Sequence, residues 1–92
     1  MIYQVVYTPR ADVEIKELKK SDILAYNKLL KLIGELHKHP RTGTGRPELL
    51  KHSKFKGLWS RRITNRHRLV YSISDNEIVV LVLSAKGHYD DK

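Results

Sequence analysis

The chain has no cysteine, which excludes a disulfide framework and a thiolate metal site and suits a reducing, cytoplasmic setting. Long apolar runs are also missing. The longest, Ile78 to Leu83, is far short of the roughly 20 residues a membrane-spanning helix needs. The first residues, MIYQVVYTPRADVE, lack the basic-then-apolar pattern of a signal peptide. A soluble cytoplasmic protein without a membrane partner is expected. The most localised shortage is of acid. From Arg41 to Arg68 the chain carries nine of its 18 Lys+Arg but one of its ten Asp+Glu, the single carboxylate being Glu48.

The rest of the composition describes a small basic domain. Residues 1–92 are read as one domain, large enough for a modest core. The formal charge is +8 at pH 7 and the pI is near 9.9, which favours an anionic partner, most often nucleic acid.

Ile2 to Thr8 is rich in branched and aromatic residues and predicts a strand. Thr8 followed by Pro9 is a helix start, and Ala11, Ile15 and Leu18 follow helical spacing. Ser21 or Asp22 caps a second helix, with an apolar stripe at Tyr26, Leu29, Leu30, Ile33 and Leu36. Pro40 ends it. The two helices form a hairpin. A long loop, Pro40 to Gly57, contains a short strand at Glu48-Leu49-Leu50. Three strands follow, Leu58–Thr64, His67–Ser74 and Glu77–Ala85, turning at Asn65-Arg66 and Asp75-Asn76. The run from Ile78 predicts a central strand covered on both faces. The fold class is α+β, with a mostly antiparallel four- to five-stranded sheet and both helices on one face. In the second of the three strands, Leu69, Tyr71 and Ile73 are assigned to the helix-covered face. Arg68, Val70 and Ser72 then lie on the open one.

Cations on a loop and adjoining strands suit phosphate. Glu48 does not: it repels phosphate. One reading makes it a structural ion pair with a neighbouring Arg or Lys. The other makes it a general base. RNA carries its own nucleophile, the 2′-hydroxyl. Cleavage then needs a base, cations for the phosphorane and an acid for the departing 5′-oxygen, with no metal or cofactor. Nearby cations weaken a carboxylate as a base and desolvation strengthens it, so Glu48 serves to orient the hydroxyl or to deprotonate it. A histidine suits the acid. His37 and His39 sit at a helix end and are explained by its dipole. His52 and His67 lie in the basic segment, in reach of phosphate or simply exposed. His88, in KGHYDDK, is equally a surface tail or a site. Trp59 reads as core rather than as a base-stacking ring.

The ordered set Gly43-x-Gly45-x-Pro47-Glu48, Trp59-Ser60-Arg61-Arg62-Ile63, His67-Arg68-Leu69-Val70-Tyr71 and His88-Tyr89 resembles the YoeB/Txe branch of the RelE-like toxins of bacterial toxin–antitoxin modules. The resemblance runs from about Gly43 to Tyr89. It implies a microbial-ribonuclease-like fold and a toxin that cleaves messenger RNA in the A site of the 70S ribosome. It assigns Glu48 as general base, Arg68 to the phosphorane and His88 as general acid, with Tyr89 positioning or stacking on the substrate. Lys51, Arg61 and Arg62 take basic positions that hold RNA or ribosomal phosphates, to which Arg46 and His52 are added. The partner implied is an acidic antitoxin of the YefM type, expected to cover Arg61 and Arg68, and the resemblance is compatible with a homodimer. Unlike the family pattern, Asp90, Asp91 and Lys92 follow His-Tyr here. Two other readings compete: a non-nucleolytic ParE-type toxin acting on gyrase, and a plain RNA-binding module.

Overall fold

The computed structural model describes residues 1–51, 54 and 56–87. Its elements in chain order are β1 (Gln4–Tyr7), α1 (Pro9–Ser21), α2 (Ile23–Leu36), β2 (Glu48–Leu49), β3 (Trp59–Arg62), β4 (Arg68–Ser74) and β5 (Val79–Ser84).

Local chemistry sets the helix ends. Thr8 is extended and its hydroxyl accepts from the Ala11 N–H at 3.1 Å, while Pro9 occupies the first turn. The same hydroxyl donates to the Leu83 carbonyl at 3.0 Å, which fixes the helix start to β5. Asp22 alone makes the hairpin. Its N–H donates to the Leu18 carbonyl at 2.8 Å, closing α1, and its carboxylate accepts from the Ala25 N–H at 3.1 Å, opening α2. Ser21 instead ends α1, with its hydroxyl donating to the Glu17 carbonyl.

The sheet has the order β1-β5-β4-β3-β2. β1 runs parallel to β5 at one edge, and every other pair is antiparallel. Both helices cover one face. Ala11 and Leu18 of α1 and Ala25, Leu29, Leu32 and Leu36 of α2 pack with Leu69, Tyr71, Val80 and Val82. Each buried leucine contributes about 1.5–3 kcal/mol.

Leu69 and Tyr71 are fully buried in this core and Ile73 packs against it, as alternation predicts. Two expectations are corrected. On α2 Leu32 is buried along with Leu29 and Leu36, whereas Leu30 is 47% exposed. Ala25, Leu29, Leu32 and Leu36 form one helical stripe, and Leu30 lies outside it. β5 is an internal strand, but only Val80 and Val82 are covered, while Val79, Leu81 and Leu83 are half-exposed. Both helices pack on the other side, which leaves those three uncovered among the described residues. A register shift at Val70/Tyr71 sets Val70 opposite Ser84 and Tyr71 opposite Val82, so Leu83 bulges from the β5 ladder. No helix among the described residues is long and apolar enough to cross a membrane.

Candidate active site on the open sheet face

Directly opposed residues in an antiparallel ladder project from the same face. Glu48 is opposite Ser60, Ser60 is opposite Val70, and Arg62 is opposite Arg68. Glu48, Arg62 and Arg68 therefore share the face that the helices leave open. Strand spacing places the Glu48 and Arg68 α-carbons about 12 Å apart, which leaves room for a phosphodiester between two long side chains.

Glu48 and Arg62 are exposed and Arg68 is half-buried. The Glu48 carboxylate has no hydrogen-bond or ion-pair partner among the described residues. The structural ion-pair reading of Glu48 is thereby set aside. Arg46 and Lys51, which flank it in sequence, are exposed too.

The loop that carries Glu48 is built around another arginine. Arg61 is opposite Leu69 and so points into the core side, where it is fully buried. A guanidinium has five N–H donors, and this one makes five hydrogen bonds. Nε donates to the Tyr71 hydroxyl at 3.1 Å. Nη1 donates to Glu35 Oε1 at 2.8 Å and to the Thr44 carbonyl at 3.2 Å. Nη2 donates to the carbonyls of His39 at 2.5 Å and Thr42 at 2.8 Å. Glu35 also accepts from the Thr44 N–H and hydroxyl at 2.8 and 2.7 Å, and the Tyr71 hydroxyl donates to the Pro40 carbonyl at 2.7 Å. The expectation that Arg61 contacts RNA, or lies beneath an antitoxin segment, is corrected. Its charge is spent internally, on the loop from His39 to Thr44.

The two glycines of the motif are required by this packing. A Cβ on Gly43, where φ is +120°, lies within clash distance of Glu35 Oε1. At Gly45, with φ of +86°, a Cβ meets the Arg62 carbonyl at 2.9 Å. The Gly45 carbonyl accepts from the Arg62 N–H at 2.7 Å. Arg46 continues in the left-handed region at φ +54°, and the chain then enters β2 at Glu48.

Burial pushes the Glu35 carboxyl up, but the Thr44 and Arg61 hydrogen bonds and the guanidinium's charge outweigh it and hold the group below the usual carboxylate range. Burial pushes the Tyr71 phenol up, against the opposing pull of Arg61.

Arg68 also meets the segment that follows β5. Its N–H donates to the Gly87 carbonyl at 3.0 Å, and the Gly87 N–H donates to His67 Nδ1 at 2.8 Å. Gly87 is the residue before His88. His88 and Tyr89, like His52 and the Asp90-Asp91-Lys92 tail, lie outside the described residues.

Sequence reading missed Glu35, Thr44 and the roles of Arg61 and His67. A signal for Arg61 was present: Trp59 and Arg61 are two apart on one strand, so a core-facing Trp59 carries Arg61 inward with it. Trp59 does pack against the core. No group of three or more His, Asp or Glu suited to a metal ion occurs among the described residues.

A helical hairpin on one face of a five-stranded mixed sheet, with the opposite face charged, is the architecture of the RelE-like toxins. Residues 7–89 match the family model described as YoeB-like toxin of bacterial type II toxin-antitoxin system. Toxin YoeB of Escherichia coli (strain K12) is 39% identical over 71 residues, covering 77% of this chain and 81% of that one. A YoeB/ParE toxin from Agrobacterium tumefaciens superposes with a TM-score of 0.85 at 32% identity, over 94% of this chain and 99% of that one. The toxin in the heterotetrameric YoeB–YefM complex from Staphylococcus aureus does so with a TM-score of 0.79 at 30% identity, over 97% and 100%. The chain belongs to the YoeB family of toxins of bacterial type II toxin–antitoxin systems.

Proposed function

We propose that this toxin is a ribosome-dependent endoribonuclease that cleaves messenger RNA in the A site without a metal. The observation that carries the reading is the carboxylate of Glu48, which has no partner among the described residues and lies on the same sheet face as Arg62 and Arg68. Glu48 orients the substrate 2′-hydroxyl and accepts its proton. The 2′-oxygen bonds to phosphorus as the bond from phosphorus to the 5′-oxygen breaks. Arg68, with Arg62 opposite it, stabilises the phosphorane's charge. His88 gives its proton to the leaving 5′-oxygen, and Tyr89 stacks on the substrate. The products are a 2′,3′-cyclic phosphate and a 5′-hydroxyl. Arg46, Lys51 and His52 hold flanking phosphates.

The partner that neutralises it is an acidic antitoxin of the YefM type, whose carboxylates cover Arg62 and Arg68. The staphylococcal relative is itself found in a complex with YefM. The setting is the cytoplasm, and a homodimer of the free toxin is compatible with the family.

The test is induction in cells followed by mapping of RNA ends. New 5′-hydroxyl ends clustered at codon boundaries are expected, and Glu48→Gln or Arg68→Ala should abolish them with the fold intact. Intact messages accompanied by DNA damage would overturn the reading in favour of gyrase as target.

A further inference from the structure

After Ser84 the chain leaves the ladder, and its next three N–H groups would be orphaned without side-chain acceptors. All three find one. Glu14 Oε1, on α1, accepts from the Ala85 N–H at 2.8 Å and the Lys86 N–H at 3.2 Å. His67 Nδ1 accepts from the Gly87 N–H at 2.8 Å. The Gly87 carbonyl is taken by the Arg68 N–H at 3.0 Å. Lys86 adds an ion pair to Glu17 at 3.0 Å, and Glu14 is itself bonded to Arg10 at 2.9 Å.

His67 is well placed to act as a fixed post. Its N–H donates to the Thr64 hydroxyl at 3.2 Å, and its carbonyl accepts from the N–H groups of Ile63 at 3.0 Å and Thr64 at 3.2 Å. A backbone N–H only donates, so Nδ1 carries a lone pair and the ring proton sits on Nε2. Gly87 turns at a φ of +77°, in the left-handed region. One dipeptide, His67-Arg68, thus grips both backbone groups of the residue that immediately precedes His88.

We propose that His67 is a positioning residue: by accepting the Gly87 N–H at Nδ1 it fixes, beside Arg68, the backbone that leads into the proposed general acid. Glu14 steadies the same segment from the helix side. The inference rests on the nuclease reading given above. It accounts for a histidine beside Arg68 that has no part in the chemistry itself.

The experiment uses the full-length toxin on programmed ribosomes, with single-turnover cleavage of two messages. One has a normal 5′-oxygen leaving group. The other has a bridging 5′-sulfur, which departs without protonation. His67→Phe removes the acceptor, His67→Gln moves it to the Nε2 position, and His67→Asn keeps it near Nδ1. With the oxygen substrate, Phe and Gln are expected to lose about 10–100-fold in kcat with KM nearly unchanged, and Asn to recover most of it. With the sulfur substrate, the Phe and Gln defects should disappear. Wild-type toxin labelled with nitrogen-15 should show a two-bond N–N coupling between Gly87 N and His67 Nδ1, retained when Glu48 is replaced by Gln. Full activity of His67→Phe, an equal defect with both substrates, or no such coupling would overturn the proposal. If the wild type cut neither message while the coupling was present, the nuclease reading would be what had failed.

Discussion

Arg62 and Arg68 stand directly opposite each other across the β3–β4 ladder, on the face that carries Glu48. Like charges at directly opposed positions destabilise a sheet. An anion bound between them relieves that cost. Arg62→Ala should therefore leave the free toxin as stable as before or more so, by about 0.2–1 kcal/mol in urea unfolding. The same change should weaken RNA cleavage and lower the salt slope of RNA binding by about one. A large loss of stability would show that Arg62 is structural.

Its neighbour in sequence should behave in the opposite way. Arg61→Ala leaves Glu35 without its ion pair and strips three loop carbonyls and the Tyr71 hydroxyl of a donor. Breaking a buried pair typically costs roughly 3–5 kcal/mol. Arg61→Lys should rescue little, since an ammonium has three donors where five bonds are made. Urea melts of the adjacent Arg61 and Arg62 variants, run side by side, check this contrast.

Gly43→Ala tests the same network from the loop. The new methyl would clash with the Glu35 carboxylate at a φ of +120°. A loss of about 1–3 kcal/mol is expected, together with faster amide exchange at Thr44, whose N–H donates to Glu35. Unchanged exchange at Thr44 would count against a rigid contact there.

Acid should loosen the loop. Glu35 is held below its ordinary value as described, and Asp75 is held low by the Arg41 hydrogen bond, then by that of Tyr3. A carboxylate with a depressed folded pKa contributes its stability fully above the unfolded value, near ~4.3 for Glu. That contribution is lost as pH falls through the folded value. The Tm of the wild type should therefore drop below about pH 4. Glu35→Gln should start lower and fall less steeply, as a Tm series against pH would show.

Glu48→Gln should do the reverse of the core changes. The carboxylate lacks partners among the described residues, so unfolding should shift by no more than about 0.5 kcal/mol. RNA cleavage should fall by about 10²–10⁴-fold. Loss of fold in this variant would show that Glu48 is structural.

Much of the scaffold was legible because it is local. Thr8-Pro9 states a helix start through one hydroxyl and one missing N–H. Alternation on β4 separates Arg68 from Leu69 and Tyr71 without reference to any other element. The apolar run at Val79 to Leu83 declares an internal strand. That run cannot say whether one face or two is covered, since a half-exposed valine and a buried one are the same letter. On α2, Leu30 and Leu32 point to different sides of the helix, both next to other apolar residues, and the sheet beneath chose the side of Leu32.

The sequence by itself determined the two capped helices, the strands, the cationic segment and its lone Glu48, because each follows from neighbours a few residues apart. Only the tertiary structure decided that Arg61 serves the loop while Arg62 faces outward, that β1 joins β5 in parallel, and that His67 holds Gly87. Those outcomes depend on groups 17 to 75 positions apart meeting within hydrogen-bond reach. A buried guanidinium or orphaned N–H settles on whichever distant acceptor the folded chain brings to it, and spacing along the chain does not encode that choice.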